Sequence, residues 1–103
     1  MTLVFRDVAS THTVDPYDSD VVLKFPSGGT AVFVEADGCP VGMQTAIMAL
    51  GSPVMIQLMA GVLVLGASEL VVQPLNTGVL VKIANGKWLV SMRPRAVPAG
   101  AVS

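Results

Sequence analysis

The chain has 103 residues, a net charge of −1, and 52% apolar against only 13% charged side chains. That length sets one domain with a modest core, and the charge offers nothing to phosphate, which argues against nucleic-acid binding as the main task. A single cysteine, Cys39, excludes a disulfide framework and any paired-cysteine metal motif, and His12 has no second His or Cys nearby to share a metal.

In chain order, "MTLVFRDVAS" lacks the basic start and the apolar length of a signal peptide. Residues 1–20 read as a polar N-terminal arm. Within it "DPYDSD" sets Asp15, Asp18 and Asp20 in a turn-rich, solvated acidic segment, with no metal site expected. Its apolar anchors would be Leu3, Val4, Phe5 and Tyr17, on an arm that orders when it meets a partner.

"VVLKF" and "TAVFVEA" alternate like strands about a "PSGG" turn, and "DGCPVG" follows as a loop. Residues 41–66 carry no charge, which raises the question of a membrane span. Gln44, Gly51, Ser52, Pro53 and Gln57 interrupt the run, and it folds on paper as a hairpin about Gly51-Ser52, pairing Ile47 with Ile56. Both faces of that hairpin are apolar, so both need cover. For residues 43–50 a strand is favoured over a short helix. "GVLVL" and "ELVVQP" supply two more strands.

"TGVLVKIANGKWLVSM" closes the series as a hairpin about Asn85-Gly86, a dipeptide suited to a type I′ turn. That register pairs Ile83 with Trp88 and Val81 with Val90. It gives one apolar face of Val79, Val81, Ile83, Trp88, Val90 and Met92, and a mixed face carrying Leu80, Lys82 and Leu89. The expected fold is therefore all-β, a small antiparallel β-sandwich or barrel of about 7–8 short strands over residues 21–92. Extended arms flank it, the second being a Pro-containing tail at 93–103. No repeat of fixed period stands out.

Chemistry is sparse. No nucleophile elbow, phosphate loop or base–nucleophile pair is present, so neither an enzyme nor a cofactor is expected. What remains is apolar surplus, too much for one small core, and such surplus marks contact surfaces. The candidate interface is Met43, Met48, Met55 and Met59, with Leu80 and Leu89 from the last hairpin and Leu3, Phe5 and Tyr17 from the arm.

The run "CPVGMQTAIMALGSPVMIQLMAGVLVLGASELVVQPLNTGVLVKIANGKWLVSM" resembles a small β-rich module of tailed-bacteriophage virion proteins, both capsid-decorating proteins and head-fibre or tail appendages. Pro40-Val41-Gly42, Gly61-Val62, Val79 to Ile83 and Trp88-Leu89-Val90 carry the likeness, and "VVLKFPSGGTAVFVEA" extends it more loosely. The resemblance implies a structural virion protein that decorates or stabilises a capsid after assembly in the host cytoplasm. Its partners would be further copies of itself, a trimer ahead of a dimer, and the major capsid protein or another virion protein. Two alternatives stand beside it. One is a receptor- or glycan-binding appendage, for which only Tyr17, Phe5, Phe25 and Phe33 would remain to stack on sugar. The other is a small membrane-associated protein using residues 41–66.

Overall fold

A computed structural model describes residues 4–66 and 69–94; Leu3 and residues 95–103, on which parts of the two expected arms fall, lie outside them. The fold is all-β. Ten strands make two mixed sheets packed together: β1 (Val4–Asp7), β2 (Thr11–Thr13), β3 (Val21–Phe25), β4 (Gly29–Phe33), β5 (Gln44–Ala49), β6 (Val54–Leu58), β7 (Leu63–Leu65), β8 (Val71–Val72), β9 (Asn76–Ala84) and β10 (Lys87–Pro94). One sheet has the order β1-β3-β5-β9-β10-β7 and the other β2-β4-β6-β8.

The first six strands alternate between the sheets. β1, β3 and β5 lie parallel in the larger sheet, and β2, β4 and β6 lie parallel in the smaller one. The chain thus winds in three flat coils, each giving one strand to each sheet. β8 and β9 add a fourth coil in the opposite direction, antiparallel to β6 and β5. β10 then folds back on β9, and β7 pairs parallel with β10 at the edge.

The sandwich is therefore mixed rather than antiparallel, and the hairpins expected at "PSGG" and Gly51-Ser52 are corners. At each, the chain leaves one sheet and crosses the core edge to the other, so β5 and β6 never pair. Glycine and proline punctuate a corner as readily as a hairpin. The corners lie on one another: Thr30 N–H donates to Ser10 O (2.7 Å), Gly51 N–H to Pro26 O (2.9 Å) and Leu75 N–H to Ala49 O (2.8 Å). Gly29, at φ 144°, lies so close to Ser10 that a Cβ would enter its carbonyl.

Between the sheets lie Leu23, Phe25, Ile47 and Ala49 on one side and Ala31, Phe33, Val54 and Val72 on the other, all fully buried. Phe33 meets Trp88 edge to face, with centroids 5.3 Å apart. The segment expected as an N-terminal arm also differs: β1 and β2 are the first strands of the two sheets, and Val14 is buried in the core. Parallel edge pairing needs backbone rather than apolar side chains, so a polar segment can supply it.

The closing hairpin exists with altered register. Ala84 pairs with Lys87, but the next pair is Lys82 with Trp88, leaving Ile83 as a bulge. Of the two turn residues only Gly86 has a positive φ (70°), so the turn is not type I′; one left-handed glycine beside a bulge closes it instead. A slip of one residue exchanges the faces of a strand. Leu80 and Lys82 consequently join Trp88 and Val90 inside, Val79 and Val81 are half-buried on the outer face, and Ile83 is exposed.

Gly86→Val and Gly29→Ala should each lower the unfolding free energy by at least about 1 kcal/mol, because both force a side chain into a left-handed backbone. Asn85→Ala, at an exposed residue with ordinary φ, should change it by less than about 0.5 kcal/mol. Denaturant titration of the three variants checks this order.

Candidate functional site

Two ionic groups are built on buried carboxylates, Asp18 and Asp37. The first closes the interior beside coil one. "DPYD" forms a short 3-10 helix, Pro16–Asp18, whose capping box has the Asp15 side chain accepting from Tyr17 N–H and Asp18 accepting from Asp15 N–H. This folds Asp18 back to a fully buried position. There it accepts from Arg6 Nη1 at 2.9 Å and shares a 2.8 Å hydrogen bond with His12 Nε2. Arg6 and His12 pair in register with the inward-facing Leu23 and Ala31 and reach the buried Asp18 from opposite sheets, their own side chains remaining 42% and 20% exposed at its edge. The acidic segment is thus not wholly solvated: one of its three carboxylates ties β1 and β2 together.

The second group follows from the bulge. Lys82, turned inward on β9, is buried together with the Asp37 carboxylate, their side chains only 3% and 2% exposed. Its Nζ donates to Asp37 Oδ1 (2.7 Å) and to Cys39 O (2.8 Å), and lies 6.0 Å from the centre of the Trp88 ring. Cys39 N–H donates to the same Oδ1 at 2.9 Å. Burial first, and then the Asp37 carboxylate, push the Cys39 thiol from its ordinary value of 9.0 up to about 11. Among the described residues, no three His, Cys, Asp or Glu side chains are placed to hold a metal ion.

The outer faces of the sheets carry the exposed apolar groups. Across the larger sheet Phe5, Val22, Ala46 and Val79 follow one another in register, and Gln44, Val81, Leu89 and Leu65 form the next row. Phe5, Leu63, Leu65 and Leu89 are 42–51% exposed. A groove of about 290 Å³ runs between Phe5, Val22, Ala46, Met48 and Val79. At its rim Lys24 Nζ lies 3.2 Å from Asp7 Oδ1 and 5.9 Å from the centre of the Phe5 ring. The smaller sheet shows a more polar outside, with Thr11, Thr13 and Gln57 beside Met55.

The expected interface is therefore divided. Phe5, Leu89 and the half-buried Met48 share the outer face of the larger sheet, while Met55 lies on that of the smaller, with Met59 just beyond the end of β6. Tyr17 stands alone on its turn, 82% exposed. Met43 and Leu80 are corrected to core residues, 4% and 0% exposed: Met43 packs at the end of the loop entering β5, and Leu80 is turned inward by the bulge. Trp88 is fully buried.

The buried ionic residues escaped the sequence reading. The Asp-Pro-x-Asp capping pattern was a legible signal for Asp18. A lone lysine in an apolar strand signals Lys82 only once the register is known. No family model, no curated protein and no solved structure matches this chain. Among the described residues no helix is long and apolar enough to cross a membrane.

Arg6→Met removes a charged donor from buried Asp18 and should cost about 1.5–3 kcal/mol in denaturant unfolding; an arm in solvent would lose under about 0.5 kcal/mol. The Cys39 thiol binds its proton more tightly folded than unfolded. Its contribution to stability is therefore full below pH 9.0 and is lost as pH rises through about 11. At pH 8 the native protein should resist thiol-specific reagents that modify the unfolded chain rapidly, and labelling followed by mass spectrometry measures both rates.

Proposed function

We propose that this protein is a structural protein of a tailed-phage particle, one that decorates or stabilises the capsid and acts by surface contact rather than by catalysis. The observation that carries the reading is the outer face of the larger sheet, where Phe5, Leu63, Leu65 and Leu89 stand 42–51% exposed, with a groove between Phe5, Val22, Ala46 and Val79 at its β1 side. Apolar patches of that kind are uncommon on proteins that act alone and mark surfaces that are covered in use. The motif resemblance names the setting, with further copies of the chain, a trimer ahead of a dimer, and the major capsid protein or another virion protein as partners.

The mechanism is mass action. A protein that binds the assembled lattice and not its dissociated subunits stabilises the lattice by RT ln(1 + [L]/Kd), which reaches about 2.7 kcal/mol at a hundredfold excess over Kd. No bond need be made or broken, and the compact sandwich serves to present its faces rigidly.

The test is composition and binding together. The chain should be present in purified particles at a fixed ratio to the major capsid protein, and should raise the temperature at which particles lacking it come apart. Leu89→Glu, at an exposed strand position, should leave the isolated domain within about 0.5 kcal/mol of the parent stability and weaken attachment or self-association. Absence of the chain from particles would remove the virion reading. Undiminished attachment and self-association by the Leu89→Glu variant would remove this face as the contact.

A further inference from the structure

The geometry points to an intramolecular isopeptide bond between Lys82 Nζ and the side-chain carbonyl carbon, Cγ, of Asp37. The pair has the placement such a condensation needs. Nζ stands 2.7 Å from Asp37 Oδ1, which puts it about 3–3.5 Å from Cγ, the distance of a near-attack arrangement. The two side chains come from separate elements, the loop between β4 and β5 and strand β9, and both are almost wholly withdrawn from water. Trp88 lies beside the amine, and Cys39 O holds it at 2.8 Å.

The proton account balances. The condensation begins with one proton passing from Nζ to the Asp37 carboxylate, which gives an amine with a free lone pair and a carboxylic acid. The amine lone pair attacks Cγ and the N–C bond forms. Negative charge develops on Oδ1, where the Cys39 N–H already donates at 2.9 Å, the role of an oxyanion donor. The Cγ–Oδ2 bond then breaks, and Oδ2 leaves as water with the carboxyl proton and one further proton from Nζ. Ammonium and carboxylate become amide and water. Nothing is oxidised or reduced, and no co-reactant is required.

Burial favours the product twice over: it keeps out the water that would reverse the reaction, and the amide replaces two desolvated charges with one neutral group. The consequence is mechanical. Residues 37 and 82 would be covalently joined, pinning the long β4–β5 loop to the centre of the larger sheet. A cross-link of this span restricts the unfolded chain as a disulfide does, without depending on an oxidising compartment.

Mass decides the matter. The purified full chain, denatured, should be lighter than its sequence by one water, and proteolysis should yield a single branched peptide joining the segments around Asp37 and Lys82. A chain at full sequence mass overturns the proposal. Asp37 precedes Gly38, a dipeptide that can also lose water by closing on its own backbone. A deficit that persists in Lys82→Arg, with no branched peptide in the parent, assigns the loss to that ring and overturns the cross-link equally. Neither measurement requires the variant to fold, because both are read on denatured chain.

Discussion

Backbone hydrogen bonds between successive coils hold the two sheets in register, and they form because the corners of the chain lie directly on one another. Ser10, Pro26 to Gly29, Gly51 to Pro53 and Leu75 build one such stack. Each corner must carry the chain about 10 Å from sheet to sheet while leaving its own backbone groups free to bond the next corner. Side chains are in the way there, and at Gly29 the neighbouring carbonyl occupies the space where a Cβ would be. Because the corners repeat on the same side, β1, β3 and β5 fall parallel in one sheet and β2, β4 and β6 in the other. Parallel pairing, which needs a crossover of a dozen or more residues between the two strands, is thus a consequence of stacked corners.

The far end of the fold depends on one glycine. Gly86 takes the left-handed conformation that closes the last hairpin, and the bulge beside it moves β9 by one residue against β10. That single step decides what the core contains. Without it Val79, Val81 and Ile83 would look inward and Lys82 would lie in solvent. With it Leu80 and Lys82 look inward, and an ammonium group must be accommodated beside Trp88. The β4–β5 loop supplies the accommodation through Asp37 and the Cys39 carbonyl. The interior therefore holds an ionic group on β9 and another beside β1 and β2, where Arg6 and His12 meet Asp18, with the aromatic and aliphatic core between them.

Much of this was legible and some was not, for stateable reasons. Strand identity was clear where apolar residues alternate, as in Val21–Phe25, whereas for residues 43–50 a strand was only favoured over a short helix. The apolar character of both sides of the strand at 44–49 was also visible, and a central strand, here parallel to β3 and antiparallel to β9, does read that way. Partnership was hidden, because a corner and a hairpin use the same residues. The coil spacing also changes along the chain: Val4 lies beside Val21, but Val22 lies beside Ala46, so no fixed period announces a stack. Of the expected interface, Phe5, Leu89, Met55, Met59 and Tyr17 are exposed. Leu80 was assigned to the wrong face by the one-residue slip, and Met43 by taking a run of methionines as one patch when it spans the core and both sheets.

The proposed role makes an unequal demand on the two outer faces, and they are unequal in chemistry. In α/β folds, parallel strands have their second face covered by helices; among the described residues no helical layer covers β3 and β5. Val22 and Ala46 nonetheless lie at 6% and 9% exposure on that side, sheltered in the groove by the larger side chains of Phe5 and Met48 around them. A surface with small residues below and large ones at the rim can receive a protruding side chain from a partner at little cost in rearrangement, because the depression already exists. The outside of the smaller sheet, with Thr11, Thr13 and Gln57, is more polar and bonds readily to water. If one side of this sandwich is turned toward an assembly and the other toward solvent, burial of apolar area selects the six-stranded sheet for the assembly.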